Sequence, residues 1–162
     1  MRRALLVFGI GVALVSGAAA QTAADPVSWA LAVQPAGATS TPGGTISLAL
    51  TATIDDGWHL YSLKLDPGGP IPTAISVPAD QPFTQAGDIV EPLPKSAFEP
   101  NFNQVLDYHV DKVTFTIPVK SAANTPAGKQ TVRVKANYQT CNDRLCLPAR
   151  ETIVTVDIQL VK

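Results

Sequence analysis

The chain has 162 residues with 12 Lys+Arg and 13 Asp+Glu, and two of the arginines sit at positions 2 and 3. Without those two, 10 basic residues stand against 13 acidic ones, a net of about −3 with no basic cluster. This argues against nucleic acid or an anionic membrane as the partner. Some 140 residues beyond the leader suffice for one domain with a proper core, so a disulfide is not needed merely to fold.

The chain opens Met1-Arg2-Arg3, runs apolar from Ala4 to Val15 and reaches Gly17-Ala18-Ala19-Ala20. A basic start, a short apolar core and an A-x-A end predict a secretory signal peptide over 1–20, cleaved after about Ala20. A membrane anchor is the alternative, but the run is shorter than the roughly 20 residues a spanning helix needs. No later stretch is long enough to cross a bilayer, so the expectation is an exported, periplasmic protein with no membrane insertion of the mature chain, 21–162.

Val27 to Val33 alternates, with Val27, Trp29, Leu31 and Val33 on one face, which predicts a half-buried strand. Thr45 to Ile54 repeats the pattern through Ile46, Leu48, Leu50, Ala52 and Ile54. Asp55-Asp56-Gly57 is a turn signal, followed by a short aromatic strand, Trp58 to Ser62. Thr73 to Val77 is another short strand. Pro78, Pro82, Pro92, Pro94 and Pro100 then punctuate a long stretch, with one strand expected near Asp88 to Glu91. The 14 prolines leave little room for helix. Val105–Val110 and Val113–Val119 are expected to form a hairpin around Asp111-Lys112. Thr131 to Tyr138 places Val132, Val134, Ala136 and Tyr138 inward, and Thr152 to Leu160 closes the chain. Eight or nine short strands without a helical stripe predict an all-β, immunoglobulin-like β-sandwich in a single domain, with a closed barrel as the alternative.

Cys141 and Cys146 are the two cysteines, between two predicted strands. In an oxidising compartment they are expected to pair, because a chain reversal over Asn142-Asp143-Arg144-Leu145 brings the two backbones into disulfide range. A structural staple is the plain reading. However, so short a loop yields only about 2 kcal/mol in the chain-entropy account, and a bond at a loop tip is open to an attacking thiolate. Arg144 would favour a thiolate and Asp143 would oppose it. Metal binding finds little support: His59 and His109 are distant from the cysteines in sequence, and the single methionine is Met1. No metal and no other cofactor is expected. There is no Gly-x-Ser-x-Gly and no phosphate-binding glycine loop.

The run Tyr138-Gln139-Thr140-Cys141-Asn142-Asp143-Arg144-Leu145-Cys146-Leu147-Pro148-Ala149 resembles the active-site segment of the amino-terminal periplasmic domain of the thiol:disulfide interchange protein DsbD. Gly57-Trp58-His59-Leu60-Tyr61-Ser62, followed by Pro70-Ile71-Pro72-Thr73, is similar to that domain's aromatic strand and its continuation. The resemblance implies a thiol-disulfide oxidoreductase that carries electrons by reversible Cys141–Cys146 exchange. Its partners would be thioredoxin-like periplasmic oxidoreductases and a membrane electron-transfer protein, with cytochrome c maturation among the processes served. It implies that Cys146 forms the mixed disulfide and Cys141 resolves it. It also implies a cap loop within Phe98 to Gln104, with Phe102 over the sulfurs, Phe98 nearby, and His59, Tyr61 and Tyr138 flanking the site. No membrane segments or thioredoxin-like domain follow, which implies a free-standing carrier or a separately encoded membrane component. The alternative from another class is a non-enzymatic envelope module that binds a protein and uses the disulfide as a staple.

Overall fold

The computed structural model describes residues 24–162, so the expected leader over 1–20 lies outside the described residues. Twelve strands are formed there: β1 (Val27–Gln34), β2 (Thr39–Ser40), β3 (Thr45–Ile54), β4 (His59–Tyr61), β5 (Ala74–Ser76), β6 (Phe83–Gln85), β7 (Lys95–Glu99), β8 (Gln104–His109), β9 (Lys112–Ser121), β10 (Gly128–Tyr138), β11 (Thr140–Cys141) and β12 (Arg150–Leu160). No helix among the described residues is long and apolar enough to cross a membrane.

Two four-stranded sheets, β1-β3-β9-β6 and β2-β12-β10-β5, make an immunoglobulin-like β-sandwich. The long strands form as the period-two pattern requires, because alternate side chains leave opposite faces of a strand. Ile46, Leu48, Leu50, Ala52 and Ile54 of β3 are buried, as are Val113, Phe115, Ile117 and Val119 of β9. They share one core with Val132, Val134 and Ala136 of β10 and Ile158 and Leu160 of β12. Each Leu or Phe enclosed there contributes about 1.5–3 kcal/mol.

A third sheet, β11-β4-β8-β7, lies where core strands run on past the sandwich. β3 leads into β4 through Asp55-Asp56-Gly57, where the Trp58 amide donates to the Asp55 carbonyl at 3.1 Å. Gly57 has φ +78° there, a conformation a side chain disfavours. β10 leads into β11 after the single residue Gln139, and β8 leads into β9.

The expected hairpin at Asp111-Lys112 is corrected by this topology. β8 pairs with β4 and β7, whereas β9 pairs with β3 and β6. Asp111 takes φ 59° and the Lys112 amide donates to the Val110 carbonyl at 2.6 Å, closing a three-residue turn. The Ile54 amide donates to the Asp111 carbonyl at 2.8 Å, tying the corner to the end of β3. The chain is thereby sent into a different sheet instead of folding back on itself. In the proline-rich stretch, the strand expected near Asp88 to Glu91 is a single bridge between Val90 and Thr116. Two unanticipated strands, β6 and β7, flank it.

Candidate functional site: a hairpin disulfide over a buried carboxylate

β10 and β12 pair antiparallel from Gly128↔Leu160 to Tyr138↔Arg150. The cysteine loop extends beyond that last pair. Cys141 and Cys146 face each other across the loop as an isolated bridge. The Leu147 amide donates to the Thr140 carbonyl at 2.9 Å on one side, and the Asn142 amide to the Leu145 carbonyl at 2.9 Å on the other. The cysteines therefore occupy a non-hydrogen-bonded antiparallel pair, the position where facing side chains come closest. They form a disulfide with their Cα atoms 4.0 Å apart. The Asn142 carboxamide closes the tip by accepting from the amides of Arg144 at 2.9 Å and Leu145 at 3.0 Å.

The two sulfurs differ in environment. Cys141 is fully buried, whereas Cys146 is partly exposed at the end of the exposed run Asp143-Arg144-Leu145. β11 lies against β4 with Cys141 opposite His59. β4 divides its side chains between two cores: Leu60 enters the sandwich core, and Tyr61 enters a second cluster with Leu106 and Cys141. Phe102, Cys146, Leu65 and Tyr108 pack against that second cluster. The Phe102 ring stands edge-on to Tyr61 with centroids 6.3 Å apart.

Glu99, at the end of β7, connects these parts. It is only 2% exposed. Its Oε2 lies 2.6 Å from His59 Nε2 and accepts from the Tyr61 hydroxyl at 3.3 Å. Its Oε1 accepts from the Asn101 amide at 3.1 Å and from Asn101 Nδ2 at 2.7 Å. Asn101 Nδ2 also donates to the Asn142 carbonyl at 2.9 Å, inside the cysteine loop. A buried carboxylate is tolerated because its oxygens are saturated in this way. Burial raises the Tyr61 hydroxyl pKa well above the ordinary phenol range, and the neighbouring Glu99 carboxylate adds to the effect.

Of the side chains expected around the cysteines, His59, Tyr61 and Phe102 are brought together with them. Phe98 is not: it is 59% exposed on the outer face of β7, because strand alternation turns Glu99 inward in its place. Tyr138 belongs to the sandwich core, where it packs on Trp29 with ring centroids 5.1 Å apart and donates to Asp25 Oδ2. His109, expected to have an ordinary packing role, is buried 2.8 Å from Glu91 Oε1. Glu91 also accepts from Ser62 Oγ and the Leu63 amide. Among the described residues no three His, Cys, Asp or Glu side chains are placed to hold a metal ion.

Sequence reasoning missed Glu99, Asn101 and Glu91. The available signal was local, a carboxylate beside each of Pro92 and Pro100, but short strands between prolines carry too few residues for a period to register. A groove of about 290 Å³ beside the loop is lined by Asp55, Asp56, Trp58, His59, Tyr108 and Asp143, among others.

The model of the family described as "Thiol:disulfide interchange protein DsbD, N-terminal" matches residues 29–158. No curated protein matches the chain. Among solved structures, the reduced N-terminal domain of DsbD from Neisseria meningitidis aligns at 15% identity and TM-score 0.47, covering 70% of this chain and 76% of that one. The N-terminal periplasmic domain of ScsB from Proteus mirabilis aligns at 16% identity and TM-score 0.53, covering 85% of this chain. The chain spans 47% of that ScsB structure. At such identity the ScsB likeness speaks for the fold alone. The family match extends from β1 through the cysteine loop into β12, and on that ground the chain belongs to the family of the N-terminal domain of the thiol:disulfide interchange protein DsbD.

Proposed function

We propose that the chain is a periplasmic thiol:disulfide interchange domain that relays reducing equivalents to exported disulfide proteins through Cys141 and Cys146. The observation that carries this reading is the asymmetry of the pair: a disulfide at a hairpin tip with Cys146 partly exposed and Cys141 fully buried. An exchange reaction needs one sulfur within reach of a partner and a second one held back to resolve. Family membership and the short loop support the same reading over a staple.

In the proposed cycle a thiolate of a reducing partner attacks Cys146 Sγ. The Cys141–Cys146 bond breaks, its electron pair goes to Cys141 Sγ, and that sulfur takes a proton. The partner's second thiolate then attacks its own sulfur in the mixed disulfide and releases Cys146, which is protonated in turn. Two electrons and two protons have moved to this domain, and the partner leaves as a disulfide. With a downstream disulfide the steps run in reverse: Cys146 attacks and Cys141 resolves. Phe102 shields the pair between encounters, and His59 and Tyr61 support it from β4. Thioredoxin-like oxidoreductases and a membrane electron-transfer protein fit the two ends of the relay, cytochrome c maturation is one process it would serve, and cleavage of the leader after about Ala20 would deliver the domain.

The test is the reduction potential, measured by equilibrating the protein in graded thiol/disulfide buffers and counting alkylated thiols by mass. A value of roughly −270 to −120 mV with fast equilibration is expected. A value below about −300 mV, or reaction only after unfolding, would leave a non-enzymatic module with a structural staple. For the roles, Cys141→Ser is expected to accumulate mixed disulfides and Cys146→Ser to abolish them; the opposite pattern reverses the assignment.

A further inference from the structure

We infer that Asn101 is a latch, a positioning residue whose side chain fastens the turn carrying Phe102 onto the cysteine loop and so sets how fast reagents reach Cys146. Three bonds carry the inference. Asn101 donates through its backbone amide and through Nδ2 to Glu99 Oε1, at 3.1 and 2.7 Å. The same Nδ2 donates to the Asn142 carbonyl at 2.9 Å, across 41 residues of chain. Both targets of Nδ2 are pure acceptors, so the orientation of the carboxamide is fixed by chemistry.

The two ends of this bridge differ in rigidity. Glu99 is buried and held to β4 through His59 and Tyr61, so it is a firm anchor. Asn142 follows Cys141 directly, and its amide and carboxamide build the tip of the cysteine loop. Phe102 is the next residue after Asn101 and packs against the cluster holding both sulfurs. Asn101 itself is exposed. Its bond to Asn142 therefore competes with water and can open without disturbing either core. When it opens, the turn and Phe102 are released from the loop while Glu99 stays in place. Asn101 touches no sulfur, so the latch governs access to the disulfide and leaves the relative stability of its two redox states unchanged.

This inference rests on the exchange reading for its purpose, but it is tested apart from it. The full chain, its Asn101→Ala and Asn101→Asp variants, and a control are reduced with dithiothreitol and reoxidised with a small disulfide, and the potential is measured for each. The control is Gln81→Ala, which breaks a comparable side-chain pair with the Arg133 backbone in the sandwich. Asn101→Ala is expected to speed both reactions about fivefold, the factor for one neutral hydrogen bond, with the potential unmoved. Asn101→Asp sets a carboxylate against two acceptors and is expected to exceed that factor. Rates within twofold of the parent for both variants overturn the latch. So does acceleration in one direction with a matching shift in potential, or an equal acceleration in Gln81→Ala. If thioredoxin-like partners fail to exchange with the parent while Asn101→Ala speeds both small-molecule reactions, the relay reading falls and the latch stands.

Discussion

Replacing Glu99 by alanine tests whether the carboxylate between β7 and β4 holds the site together. The substitution takes away the acceptor that the buried His59 Nε2 and Tyr61 hydroxyl share and leaves them only their 3.3 Å contact with each other. Each buried group left unpaired costs about 1–3 kcal/mol. Asn101 is exposed and recovers much of its bonding from water. The expected loss is therefore about 3–5 kcal/mol, the range found when one partner of a buried pair is removed. For a domain of this size that lowers the melting temperature by roughly 10–15 °C. Glu99→Gln keeps the shape and one acceptor oxygen, and its amide can donate to the other tautomer of His59, so about 1–2 kcal/mol is expected. The assay is urea unfolding of the oxidised protein at neutral pH, followed by the fluorescence of Trp29 and Trp58. A cost below about 1 kcal/mol for Glu99→Ala, at unchanged denaturant dependence, would refute the reasoning.

Three further outcomes follow from the same structure. Burial, and after it the hydrogen bond to Asp25, push the Tyr138 hydroxyl up to about 12. The folded protein thus keeps a proton that the unfolded chain loses near pH 10. This contribution to stability is complete below about pH 10 and is lost as pH rises toward 12, at about 1.4 kcal/mol per pH unit; urea midpoints for Tyr138→Phe should show a shallower decline over that window. Leu50 is fully buried in the sandwich core, and Leu50→Ala should cost about 2–5 kcal/mol by equilibrium unfolding. Phe102→Ala should speed reduction of the disulfide by dithiothreitol several-fold, whereas Phe98→Ala, on the outer face, should leave that rate unchanged; equal effects would undo the distinction between the two rings.

The long strands of the sandwich were legible in the sequence, while the choice of a sandwich over a closed barrel came from the way those strands pair. In β3, β9, β10 and β12 the alternation is long enough that one register alone buries the apolar set, and a slip by one residue would expose all of it. The sequence also located the disulfide, since two cysteines five positions apart in a reversing chain have little choice of partner. Tertiary structure alone decided how the site is assembled. The corner at Asp111 sends β8 and β9 into different sheets, a choice made by a left-handed residue and its contact with Ile54, not by any hydrophobic period. That divergence creates the third sheet, and with it the edge strand β7 that turns Glu99 in and Phe98 out. His59, the Glu99–Asn101 pair and Asn142 lie far apart along the chain, and polar partners at such distances leave no periodic mark. They are selected only when strands from different parts of the sequence enclose a charge that must then be satisfied.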